Sequence, residues 1–417
     1  MKDNYEIKLS MDNMNTPKHF NDSILSGIRK GYTDFNVFIN DKQKTYPNIC
    51  VPVAGITEYY RNLNLNITFT FPPNELDYIK HTAFGKPYII EDDVQITDLR
   101  YPLDKVWKFS TSEGVNAIVT AITNSIRESE QLVCGVLNSI EWCLNEVMDN
   151  VLQHSESPYG LVMVQLHKAT SKLSICVFDS GRGIYNSLKN SKHRPHKPLD
   201  AITLALQERV TRDERVGQGN GMWGLSRIID ENKGGIKISS CGAVYSFLYD
   251  KVKTVESGYM HFGKENGTTL VDFQIDYSKS IDISKALNSY KPVDLWLENR
   301  ELDSGEFLFK VSEDSAGTGT RKAALRFKNI VLNTLRENNK KIILDFEKVN
   351  LVSSSYADEL IGKIISDYGF VFFINNFEIR NITELNIGVI NRSVEQRMAQ
   401  SYYDSSIEDD QDVTTTW

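Results

Sequence analysis

Glu146, Asn150 and His154 stand four residues apart. A helix through them would align a carboxylate, a carboxamide and an imidazole along two turns of one face. Such a row can act together on one small molecule. The surrounding stretch, SIEWCLNEVMDNVLQHS (139–155), carries Ile140, Leu144, Val147 and Val151 at i, i+4, i+7 and i+11, the apolar stripe of a helix with one face in a core. This periodicity predicts the helix and identifies no ligand, since solvated helix faces often carry the same residue types.

Two glycine-bearing stretches downstream add to the chemistry. In DSGRGI (179–184) an acid ends an apolar strand, and Gly181 and Gly183 follow it; glycine permits a tight turn and lets a flat ligand approach the backbone. In GQGNGMWGL (217–225) the glycines open a helix, and free N–H groups at a helix start make a phosphate site. Gly219 to Gly224 also spells GxGxxG, the dinucleotide fingerprint, but RDERV before it is a charged linker and no buried strand. The sequence contains no GxxxxGK[ST], HExxH or CxxC. The first absence excludes a P-loop, and the other two leave a transition-metal site without support.

Three groups of elements must position these residues. Between Asp34 and Pro73 the pattern is strand (FNVFI), helix and strand (NITFTF), with Pro52 expected in the first helical turn ahead of Val53, Ile56, Tyr59 and Leu63. This N-terminal α/β unit is expected to span 1–104. A second domain, 105–280, holds a helix near Val115 to Ser129, the helix at 139–155, a helix DAITLALQERV and the strands LVMVQLH, KLSICVFDS, IKISS, VYSFLY and TLVDFQID. Paired helices with a mostly antiparallel sheet indicate a two-layer α/β sandwich. A third, 281–403, alternates strand FLFKVS, helix KAALRFKNIVLNTLRE, strand KIILDF, helix YADELIGKIISDY, strand FVFFIN and a helix near Val389 to Ser401. Residues 404–417 are expected to be an acidic disordered tail. The fold class is thus α/β (α+β).

Glu146 and Asn150 (ExxxN), DSGRGI (DxGxG), the loop Gly217, Gly219, Gly221 (GxGxG) and Gly267-Thr268 before a strand follow in that order. Together they resemble the GHKL ATPases, the histidine-kinase-like Bergerat fold shared with gyrase, Hsp90 and MutL. The resemblance implies that ATP and Mg²⁺ bind here. Asp179 would read the adenine amino group with Thr268 beside it, Asn150 would help to hold Mg²⁺, and Glu146 would polarise the attacking water or hydroxyl. Gly181, Gly183, Gly217, Gly219 and Gly221 would line the nucleotide. The segment between the glycine boxes would be the nucleotide lid, and its Lys192, His193, Arg194, His196 and Lys197 form a basic run that could attract the nucleotide. A structural role is expected for His154.

The third domain's KIILDFEKVNLVSSSYADELIGKI resembles STAS-like domains, among them bacterial anti-sigma-factor antagonists, whose partner kinases are GHKL proteins and phosphorylate a serine in this loop. Ser354 and Ser355 occupy the corresponding places and are the candidate phosphoacceptors, although Ser353 stands where an aspartate is usual and Tyr356 where a small residue is. Ser355 with Asp358 three residues on also reads as an N-capping pair. The N-terminal unit has the pattern of a more degenerate domain of this kind.

Composition sets the remaining bounds. The 417 residues carry a net charge of -8, five of those charges in the last fourteen residues, so the near-neutral body makes no case for nucleic acid. Five scattered cysteines fit a reducing compartment. No apolar run is long enough for a membrane span and MKDNYEIKLS lacks a signal-peptide core, so a cytoplasmic location without membrane contact is expected. Three functions fit: an ATP-driven switch with slow hydrolysis, a serine kinase acting on its own or a partner STAS-like domain, and a non-hydrolysing nucleotide sensor. A protein partner or a second copy is expected at the accessory α/β domains. A histidine kinase is disfavoured, because no dimerisation helix with a phosphoacceptor histidine precedes residue 105.

Overall fold

The computed structural model describes residues 4–40, 45–71, 81–90, 101–210, 220–248, 250–256, 262, 267–289 and 295–411. The chain forms two compact units, Met1–Ser125 with Gly135–Lys291, and Ile126–Cys134 with Pro292–Trp417. It is a mixed α/β protein, with three sheets among the described residues. Among the described residues no helix is long and apolar enough to cross a membrane.

The first unit opens with β1 (Tyr5–Leu9), α1 (Thr16–Arg29), β2 (Asp34–Ile39), α2 (Pro47–Asn62) and β3 (Asn66–Thr70), the strands parallel and in chain order. In β2 the alternation Phe35, Val37, Ile39 is the buried face. The strand and helix ahead of Asp34 were not among the expected elements. The helix begins earlier than expected. Pro47 occupies its first turn, where a missing N–H leaves nothing unpaired, and Pro52 lies inside it, at the cost of the bond to the Asn48 carbonyl.

An eight-stranded sheet follows, built with β4 (Tyr88–Ile89), β5 (Trp107–Phe109), α3 (Ser112–Ser129), α4 (Val136–His154), β6 (Gly160–His167), β7 (Lys172–Asp179), α5 (Gly183–Leu188), α6 (Pro198–Ala205), α7 (Gly221–Asn232), β8 (Gly235–Ser240), β9 (Ala243–Leu248), β10 (Lys251–Val255) and β11 (Thr269–Asp276). The order is β10-β9-β8-β11-β7-β6-β5-β4, antiparallel except for β4 on β5. The expected α/β sandwich is present as this sheet with α4 and α7 on one face. α2 adds a layer on the other, where Cys50, Val53 and Ala54 share a core with Leu161, Met163, Cys176, Phe178 and Leu270. The division expected near residue 104 therefore separates no compact units. Strands covered on both faces must be apolar on both, as β7 is. DAITLALQERV is helical only to Ala205.

The second unit contains β12 (Phe307–Lys310), α8 (Arg321–Asn338), β13 (Ile342–Asp345), α9 (Ser354–Ala357), a π-helical stretch Asp358–Gly362, α10 (Lys363–Tyr368), α11 (Phe370–Asn376), β14 (Phe377–Arg380) and α12 (Glu384–Gln411). Its three strands are parallel and in chain order, the same arrangement as β1-β2-β3. The expected strand FVFFIN is instead helix α11. Gly369, at φ +91°, ends the preceding helix, and the register Ile342↔Phe377 to Asp345↔Arg380 places the strand after the aromatic run. Only Phe373 of that run is buried, its ring stacked on Phe377.

Two further boundaries differ. With no glycine or proline after Gly388 to stop it, α12 continues past Ser401 to Gln411; residues 404–411, expected to be disordered, are helical. The last turn of α3 and the segment to Cys134 belong to the second unit. Orphan carbonyls at a helix end need donors, and α8 supplies them: Asn333 Nδ2 donates to the Arg127 and Glu130 carbonyls at 3.0 and 2.8 Å, and Asn329 Nδ2 to that of Glu128 at 3.0 Å.

Gly55 decides the α2–sheet contact, because a Cβ there would overlap the Phe178 ring. Alanine gains about 1 kcal/mol in intrinsic helix propensity, while overpacking a dense core costs roughly 1–3 kcal/mol. Gly55→Ala is expected to be net destabilising, with the urea midpoint falling, and less so in a Phe178→Leu background. A midpoint that rises in both backgrounds would show that the contact is not tight.

Candidate functional site

The cavity in the first unit, about 740 Å³, lies along α4, in the size range of small-molecule sites. Its wall includes Glu146, Asn150 and His154 of α4, Asp179 at the end of β7, Gly183, Asn220 and Gly221 at the start of α7, and Thr269 and Val271 of β11. The helical period places these α4 side chains on the cavity while Ile140, Leu144, Val147 and Met148 are buried. Close contacts set the order along α4. Gly181 abuts the Ser155 carbonyl, Gly221 abuts Glu146 and Asn150, and Gly224 abuts Trp142. The Asp179 end is thus at the C-terminus of α4, with the α7 start near its middle.

Asp179 is buried and its carboxyl pKa is pushed up to about 7, chiefly by burial. Its Oδ1 accepts the Gly181 N–H at 2.9 Å, and the Thr269 hydroxyl also hydrogen-bonds the carboxylate. It can take one more donor from a ligand. The register pairs Asp179 with Thr269, so the threonine beside it is one position later than expected. Thr268 does something else: its carbonyl accepts the Ser240 hydroxyl at 2.8 Å, and Ser240 Oγ accepts the Ile184 N–H at 2.9 Å, fastening the turn after β7. In that turn Gly183 has φ +76°, and a Cβ on it would overlap Cys241 Sγ. Close packing thus explains glycine at 181 and 183, and of the two only Gly183 reaches the cavity.

Glu146 and Asp149 both have raised pKa values, from burial in each case and for Glu146 also from the neighbouring Asp149 charge. A Glu146 carboxylate so placed is a stronger base than a solvated one. Asn150 Nδ2 is buried and without a hydrogen-bond partner, a group that a ligand would satisfy. At α7 the Asn220 side chain does not cap the helix, leaving N–H groups of the first turn free for an anion. Gly217 and Gly219 lie outside the described residues.

The basic run is elsewhere. None of Lys192, His193, Arg194, His196 and Lys197 lines the cavity, and Lys197 pairs with Glu256. Arg209 lines it instead, in a stretch read as helical from its apolar pattern. Trp142, Trp223, Ser187 and Leu287 are also on the wall; the two tryptophans fall within the quoted stretches 139–155 and 217–225 but at none of the motif positions.

In the second unit the serine loop also departs from expectation. Ser353 is the N-cap, its Oγ accepting the Tyr356 N–H at 3.1 Å, because Ser353 alone of the three has the extended conformation a cap requires. Ser355 Oγ lies 3.1 Å from Ser353 Oγ. Asp358, expected in the cap, is held by Arg397 at 2.6 and 2.9 Å and by Arg321 at 3.1 Å. Ser354 is exposed at the first helical position.

The profile of a family described as STAS-like domain of unknown function (DUF4325) matches residues 323–386, from α8 to the start of α12. The second unit contains a STAS-like domain. No curated protein matches the chain.

Two outcomes test these environments. Because Asp179 has a folded-state pKa near 7 against an ordinary 3.8, the free protein has its full stability from this group below about pH 4 and loses it as pH rises through 7. Asp179→Asn should therefore unfold later at pH 7.5, by on the order of 4 kcal/mol, and equally with wild type at pH 4; a destabilised variant at pH 7.5 would contradict the burial. In the STAS-like domain, Ser353→Ala should cost about 1 kcal/mol and Ser355→Ala distinctly less in chemical denaturation. The reverse order would move the cap back to Ser355.

Proposed function

We propose that the first unit binds ATP with Mg²⁺ and hydrolyses it slowly, and that this drives a conformational switch which the STAS-like domain reads. The observation that supports this reading is the convergence, on one cavity, of a buried carboxylate acceptor (Asp179), a carboxylate base (Glu146), a carboxamide (Asn150) and an uncapped helix start (Gly221). Asp179 would accept the adenine amino group and Thr269 would orient it. The α7 N–H groups would receive phosphate oxygens. Asn150 would contribute an oxygen to Mg²⁺, which when bound neutralises phosphoryl charge.

In turnover Glu146 would take a proton from water as its oxygen bonds the terminal phosphorus, and the bond to the diphosphate leaving group breaks. The carboxylates at the phosphate end of the cavity would call for magnesium, since Glu146, Asp149 and Glu208 would otherwise face the triphosphate unscreened. A second reading, serine phosphorylation of a STAS-like domain by the same site, is favoured by the exposure of Ser354 at its helix start. A sensor without hydrolysis is opposed by the presence of Glu146.

Calorimetry should detect ATP binding that weakens at least about tenfold when Mg²⁺ is removed. Glu146→Gln should retain affinity and lose roughly 100-fold or more in turnover. With γ-labelled ATP, free phosphate alone supports the switch, phosphoserine at Ser354 or Ser355 supports the kinase, and binding without either supports the sensor. Absence of ATP affinity in the wild-type protein would end all three.

A further inference from the structure

Sorted by charge, the described side chains around the cavity are lopsided. Glu146, Asp149, Asp179 and Glu208 are carboxylates, and Arg209 is the sole lysine or arginine among them, with His154 the other group able to carry positive charge. Among the described residues, a polyanion entering here meets one guanidinium.

Two features place Arg209. Its backbone is left-handed, φ +62°, a conformation that costs a non-glycine residue about 1–2 kcal/mol. Its N–H donates to Asn220 Oδ1 at 3.2 Å. That bond occupies the side chain that would otherwise cap α7, while Gly224 N already has the Asn220 carbonyl at 2.7 Å. The latch thus both leaves the first α7 N–H groups free and sets Arg209 beside them. The guanidinium itself is exposed, and among the described residues its ion partner is the adjacent Glu208 at 3.8 Å, a weak pair.

We propose that Arg209 binds the terminal phosphate of the ligand, so that the site prefers a nucleoside triphosphate to a diphosphate or a nucleoside. This rests on the nucleotide reading above. Guanidinium offers planar paired donors that match phosphate oxygens, which ammonium does not. The latch puts this donor set at the phosphate end of the cavity, away from Asp179.

The test is calorimetry of wild type, Arg209→Asn and Arg209→Lys with Mg-ATP, Mg-ADP and adenosine. Asparagine tolerates the left-handed backbone, so the variant removes the charge and keeps the turn. A charge-assisted contact of this kind is worth about 10- to 100-fold. Arg209→Asn should lose that factor for ATP and less than about fivefold for ADP, with adenosine unchanged and Arg209→Lys intermediate. Equal loss for all three ligands, or ATP affinity unchanged from a wild type that binds it, overturns the role of Arg209 and leaves the nucleotide reading standing. Wild type binding none of the three overturns both.

Discussion

Asp179 is a carboxylate at the end of a strand with no face open to water. β7 lies between α2 on one side and α4 on the other, so the carboxyl must be paired by protein groups or kept partly protonated. Gly181 and Thr269 each give it one hydrogen bond, too few to restore an ordinary pKa. The strand arrangement follows from the same need. β11 sits beside β7 in the register that brings Thr269 to Asp179, and the turn after β7 is fastened to β8 and β11 through Ser240.

The cavity trades stability for chemistry. Three carboxylates with raised pKa values, an unpartnered buried amide and an uncapped helix start each make the free protein less stable than a filled core would. Such concentration in one place is what a ligand-binding site requires, and it supports the nucleotide reading proposed above more directly than any single motif. The surrounding scaffold carries the cost through dense packing, as at Gly55 against Phe178.

Much of this was legible from one dimension. Helix α4, the strands β6, β7, β8 and β11, and the α7 start have periods of 3.6 or 2 and glycine boundaries that are local properties. Glu146, Asn150, Asp179 and Gly221, which the resemblance to GHKL ATPases grouped at one site, share a cavity wall. Errors arose where the outcome depended on a neighbour. FVFFIN has strong strand propensity, yet the register of β14 on β13 left it in the connection, where it coiled. Ser355 and Asp358 have cap spacing, but Arg397 and Arg321 drew Asp358 away and Ser353 had the backbone angle.

By itself, then, the sequence indicated the α/β class, most element types and the residues whose chemistry could serve a site, because period, proline, glycine and side-chain type act within a few residues. Tertiary structure decided which of two adjacent threonines meets Asp179, that α2 covers the sheet's second face, and that Arg209 rather than the basic run at 192–197 reaches the cavity. Those choices turn on strand register and on which chain segment passes which, and a one-residue change in register reverses the face a side chain presents. No local pattern carries that information.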